Sequence, residues 1–147
     1  MSEIQDRKAW MSLLSKAPRD ELDRLWTALD ETHGFDWLRA PEVGGVMVRG
    51  RAGATGAPFN LGEMTVTRCA LKLESGEVGH AYVQGRDKQH ATRAALVDAL
   101  MQTGRADVIR TKILEPLNAH VQQVRSARAA KAAATKVDFF TMVRGED

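Results

Sequence analysis

Residues 64–101 read MTVTRCALKLESGEVGHAYVQGRDKQHATRAALVDALM, and the pattern of this stretch decides the fold class. From Met64 to Leu73 the residues alternate, which places Thr65, Thr67, Cys69, Leu71 and Leu73 on one face of a strand and Met64, Val66, Arg68, Ala70 and Lys72 on the other. The four residues ESGE, 74–77, supply a tight turn into a second alternating run, GHAYVQ. After Gly85 the period lengthens to about 3.6 residues. Ala91, Ala94, Ala95, Val97, Leu100 and Met101 then gather near one helical face, and Gly104 ends the helix. Two antiparallel strands followed by a helix predict an α+β protein.

Working toward the N-terminus, FDWLRA (35–40) and GVMVRGRA (45–52) also alternate and extend the sheet. The glycine-rich GRAGATGAPFNLGEM (50–64) is too long for a tight hairpin and lacks the lysine of a Walker motif, so it reads as an excursion, a partner-docking loop or a backbone cradle for an anion. Ahead of the sheet, Ser2 and Gln5 form a capping box for a helix carrying Ile4, Trp10, Leu13 and Leu14 to about Lys16. Pro18 opens a second helix with Leu22, Leu25, Trp26 and Leu29 on one face, stopped by His33 and Gly34. Two tryptophans on such stripes belong to a core or an interface.

Toward the C-terminus, Asp107 caps a further helix, and Pro116 starts another or kinks a continuous one. From Leu117 to Lys136 the apolar stripe is thin, Leu117, Val121 and Val124, before SARAAKAAATK makes the segment helical with little to bury. VDFFTMVRG (137–145) returns to alternation and is expected as a terminal strand, paired because an open apolar edge aggregates. The expected architecture is therefore an N-terminal helix pair, an antiparallel sheet of four to five strands, and C-terminal helices followed by a terminal strand.

The 147 residues suit a single domain, 1–147, with one modest core. A net charge of +2, with 27% charged and 44% hydrophobic residues, excludes the disordered and collagen-like classes. No apolar run approaches the roughly 20 residues of a membrane helix, and MSEIQDRKAW is not a basic leader followed by an apolar stretch. The expected location is cytoplasmic. Cys69 is the one cysteine, which excludes an internal disulfide and an iron–sulfur or zinc site built from this chain's cysteines; it reads as a small buried hydrophobe. The charge is graded: residues 1–42 are acidic on balance, whereas 105–136 carry seven basic and two acidic residues. Without aromatic residues among these cations, the segment faces solvent or a protein partner, and not nucleic acid.

Chemistry concentrates at the strand-to-helix junction. A helix that starts after Gly85 offers unpaired N–H groups and the positive end of its dipole, and Arg86, Lys88, His90 and Arg93 add charge or a proton donor nearby. Gly85, Arg86, Lys88, His90 and Arg93 are the candidate anion-binding residues. In the competing reading Asp87 caps the helix and the basic residues are solvated or paired with another subunit. No nucleophile has an adjacent base, no paired carboxylates stand out, and His33, His80, His90 and His120 are scattered, so no metal site is expected. On these residues alone, a stand-alone phosphate- or nucleotide-binding protein using the Gly85–His90 junction remains an alternative.

GEMTVTRCALKL, YVQGRDKQHATRAALVDALMQ and VDFFTMVRG, with the early WM and the ATGAPF loop, resemble the PhnG family of subunits of the carbon–phosphorus lyase core complex. The likeness runs over nearly the whole chain. It departs where two glycines are expected in many members and this chain has Gly53-Ala54; alanine can stand at the position of Cys69, which argues against thiol chemistry. The resemblance implies a role in phosphonate catabolism within a multi-subunit transferase that displaces adenine from MgATP by methylphosphonate, giving alpha-D-ribose 1-methylphosphonate 5-triphosphate. It implies PhnI, PhnH, PhnJ and a second PhnG copy as partners, with the ATPase-like PhnL or PhnK joining transiently. It further implies that nucleosidase chemistry resides in PhnI, and the iron–sulfur cluster and S-adenosylmethionine in PhnJ. The PhnG-like chain would act mainly in assembly, with no cofactor of its own.

Overall fold

A computed structural model describes residues 6–51 and 58–145. Helices α1 (Arg7–Lys16) and α2 (Arg19–Leu29) precede three strands, β1 (Phe35–Arg51), β2 (Pro58–Leu73) and β3 (Val78–Gln84). Helix α3 (Lys88–Leu100), a short α4 (Ala106–Ile109), a π turn (Arg110–Leu114) and the long α5 (Glu115–Gly145) follow. The expected Ser2/Gln5 capping box lies outside the described residues. Asp6 caps α1 instead, accepting from Ala9 N–H at 2.8 Å.

The sheet is antiparallel in the order β1-β2-β3. Cys69 pairs with Ala81, Thr67 with Val83 and Leu71 with Gly79, so these side chains share the face on which α3 lies. Gly79 is required there: a Cβ would stand 2.0 Å from the Ala95 carbonyl oxygen and 2.9 Å from Ala99 N. Helix α1 packs beside β3 and α3, and α2 sits between α3 and the π turn. Leu14, Leu22, Leu71, Val97, Ile109, Ile113, Leu114 and Leu117 meet in one core.

Two expectations about the sheet need correction. The described sheet has three strands, because the two runs read as separate strands form one 17-residue β1. The strand runs on through Pro41: Arg39 pairs with Ala70 and Glu42 with Arg68, so Ala40 and Pro41 together oppose Cys69. The bulge on an edge strand accepts the missing N–H. Part of the glycine-rich stretch is also strand, Pro58–Gly62 within β2; residues 52–57, where the loop readings centre, lie outside the described residues.

The second correction concerns residues 137–145, which continue α5 and form no terminal strand. Extending an established helix fixes one residue per new hydrogen bond, and the alanine tract carries the helix into VDFFTMVRG without a new nucleus. Strand preference needs a sheet neighbour to act on, and none adjoins this segment in the described sheet. Pro116 is absorbed within a continuous helical path: Glu115 N–H reaches back to the Arg110 carbonyl, so the π turn ends just before the residue that has no N–H to give.

Candidate functional site

The β3–α3 junction has a defined construction. Gly85 has φ +90°, a conformation that strains any residue with a Cβ. Its N–H donates to the Thr65 carbonyl at 2.8 Å, and its carbonyl accepts from Thr67 Oγ1 at 2.6 Å. Thr67, fully buried, accepts in turn from Asp87 N–H at 3.0 Å. Asp87 is the N-cap of α3, its Oδ1 accepting from His90 N–H at 3.0 Å. Its Oδ2 lies 3.1 Å from Arg19 Nε at the start of α2. The carboxylate of this chain thus occupies the place where the helix end would hold a foreign anion.

The five candidate residues separate here. His90 is buried, and its Nε2 lies 2.9 Å from the Leu14 carbonyl oxygen. A carbonyl only accepts, so Nε2 carries the proton and ties α3 to α1. Arg93 pairs with Asp23 on α2. Arg86 and Lys88 are exposed, and neither has an ion-pair partner among the described residues. The structure therefore brings Gly85, Asp87 and His90 into one structural junction and leaves Arg86 and Lys88 on its outer surface.

Sequence reasoning missed Asp98, which lies in the apolar face of α3. It is fully buried and accepts four bonds: Arg7 Nε at 3.1 Å and Trp10 Nε1 at 2.8 Å on Oδ1, Arg7 Nη2 at 2.9 Å and His80 N–H at 2.9 Å on Oδ2. Hydrogen bonding to this carboxylate raises the Arg7 guanidinium above its ordinary pKa. The available signal was an acidic residue inside ALVDALM, a position that burial makes untenable without partners. Asp98 joins α1, β3 and α3.

Cys69 is buried, its thiol donating to the Ala91 carbonyl at 3.3 Å, and burial pushes its pKa up to about 11. A thiol so shielded is a poor nucleophile. Among the described residues no group of three or more His, Cys, Asp or Glu side chains is placed to hold a metal ion, and no helix is long and apolar enough to cross a membrane.

A family model described as phosphonate metabolism protein PhnG matches residues 5–145. The chain belongs to the PhnG family. Among curated PhnG proteins, the alpha-D-ribose 1-methylphosphonate 5-triphosphate synthase subunit PhnG of Rhizobium meliloti (strain 1021) is 44% identical over 144 residues, covering 98% of this chain and 92% of the relative. The PhnG match spans both the sealed β3–α3 junction and the long α5, so both belong to the family's shared length.

Proposed function

We propose that the chain is the PhnG subunit of a multi-subunit transferase, alpha-D-ribose 1-methylphosphonate 5-triphosphate synthase, in which methylphosphonate displaces adenine from MgATP. The observation that carries this reading is the 44% identity over 98% of the chain to a relative of that name. The subunit's own part is mainly assembly. Residues 122–135 of α5 are exposed all round the helix, over a length of about 20 Å at 1.5 Å per residue. Strand β1 exposes Trp37, Leu38 and Met47. Both features suit surfaces that other subunits cover.

The partners in this reading are PhnI, PhnH, PhnJ and a second copy of the chain, with PhnL or PhnK joining transiently in the cytoplasm. Residues 1–147 act as one domain and bind no cofactor; MgATP is the substrate of the complex, and the iron–sulfur cluster and S-adenosylmethionine belong to PhnJ. A single cysteine fits that division. Neither nucleic acid nor membrane is a partner.

Reconstitution tests the reading. Omitting this chain from the assembled subunits is expected to abolish synthase turnover, and adding it back to restore it; turnover that does not depend on the chain refutes the assignment. Exposure of Arg86 and Lys88 supports a second reading, in which they touch phosphate oxygens. If Arg86→Ala with Lys88→Ala leaves nucleotide and phosphonate affinity of the complex unchanged, the junction has no substrate contact; a tenfold loss assigns it one.

A further inference from the structure

The face of the sheet turned away from α3 carries a second concentration of hydrogen-bond donors. Register places Arg68 opposite Tyr82, and Ala70 between Arg39 on β1 and His80 on β3. Opposed side chains on neighbouring strands point to the same face with Cβ atoms about 5 Å apart, and two strand spacings separate Arg39 from His80 by about 10 Å. Ala70, the small residue in the middle, forms the floor of a groove of about 390 Å³ whose walls include Arg39, Arg68, His80, Tyr82 and Met11 of α1. Ala70 is only 7% exposed although it lies on the open face, because its long neighbours stand over it.

Two guanidiniums, an imidazole and a phenol around one alanine offer more donors than a carboxylate with two oxygens can use. Three oxygens on a tetrahedral phosphorus match such a set, and guanidinium forks recognise them in pairs. Arg68 and His80 have no ion-pair partner among the described residues, and Tyr82 is 45% exposed. One acceptor competes: Glu42 stands opposite Arg68 and lies 3.5 Å from Arg39. Asp36 and Lys72, on the same face, oppose each other one position farther along.

We propose that this groove binds the PO3 group of a phosphonate or phosphate ester, with Arg39 and Arg68 as the principal contacts and His80 and Tyr82 as further donors. The site is separate from the β3–α3 junction, whose own carboxylate caps the helix. That its natural ligand is a phosphonate or the phosphate end of a nucleotide rests on the function proposed above; the binding chemistry does not.

Tyr82 is the chain's one tyrosine, so a fluorotyrosine-labelled chain reports on this groove with a single resonance. The labelled full-length chain, alone and reassembled with unlabelled partner subunits, is titrated with inorganic phosphate, methylphosphonate and ATP. A saturable shift is expected with at least one of them, and the three arms separate a free oxyanion from a phosphonate and from a nucleotide. Arg39→Ala with Arg68→Ala, checked by circular dichroism for retained fold, is expected to weaken binding at least tenfold. Glu42→Gln is expected to tighten it severalfold, while Lys112→Ala, an exposed cation elsewhere, leaves it unchanged. The proposal fails if no ligand shifts the resonance at millimolar concentration in either state, or if the double variant keeps the wild-type midpoint. Synthase turnover of the same preparations separates the two conclusions: a complex that needs this chain yet shows no fluorine shift loses the groove and keeps the subunit assignment.

Discussion

The two ends of the long helical path differ in what they touch. Around α3 every strongly polar buried group has a partner inside the chain: Asp98 accepts four bonds, Thr67 links Gly85 to Asp87, and His90 meets the Leu14 carbonyl. Beyond Val121, by contrast, α5 presents alanines and cations to its surroundings on all sides through Thr135. The first region is closed by its own hydrogen bonds and apolar packing. The second gains helical order from alanine propensity but buries nothing that would fix its position. The contrast teaches that self-sufficiency of folding and readiness for assembly occupy different parts of one chain.

Breaking the closed region should have the largest effect on the chain's own stability. Asp98→Ala leaves the Trp10 Nε1–H and His80 N–H without their buried acceptor and removes the partner of Arg7, with an expected loss of about 3–5 kcal/mol in urea unfolding. Gly79→Ala forces a methyl group against the Ala95 carbonyl, where only backbone movement relieves the clash. A loss of about 3 kcal/mol is expected, the upper end for overpacking; wild-type stability would show that α3 does not press so closely on β3.

A smaller effect appears only in alkali. Cys69 keeps its proton in the folded chain up to about pH 11, whereas the unfolded chain releases it near its ordinary value of 9.0. Between those values the unfolded state binds fewer protons, so stability falls as pH rises, by roughly 3 kcal/mol in all. Replacing Cys69 with alanine should remove that slope from unfolding curves recorded across the interval. Thiol reagents at neutral pH should label the chain only after denaturation; rapid labelling of the native chain would contradict the buried placement.

The open region should respond in the opposite sense. Glutamates at Ala127, Ala130 and Ala134, or on the far side at Ala129, Ala132 and Ala133, should cost the isolated chain about 1 kcal/mol or less. At least one of the two triples is expected to lower recovery of partner subunits in co-purification more than tenfold. Undiminished recovery with both would remove this stretch of α5 from the assembly surface and leave the apolar residues of β1 as the stronger candidate.

Local pattern made much of this legible. Alternation located β2 and β3, helical spacing located α1, α2 and α3, and the buried face of Cys69 followed from its position among Thr67 and Leu71. FDWLRA and GVMVRGRA read as two strands because each alternates separately, and only the pairing with β2 reveals the bulge that carries one strand through Pro41. VDFFTMVRG misled because alternation records a preference that needs a sheet edge, while the preceding alanines had already committed the backbone to helix. At the candidate site, charge and the Gly85 break were visible, but the direction of each side chain was not. His90 turns inward and Arg93 finds Asp23, 70 residues away, through contacts that no local spacing encodes.

The sequence by itself determined the family, the α+β class and the strand–glycine–helix order, because these depend on residue identities and short periods along the chain. The tertiary structure alone decided that Asp98 is the hub of α1, β3 and α3, that the Asp87 cap is tied to Thr67 and Arg19, and that Arg39, Arg68, His80 and Tyr82 gather around Ala70. Those outcomes depend on which strand pairs with which and in what register, and register is set by long-range packing that the linear order leaves open.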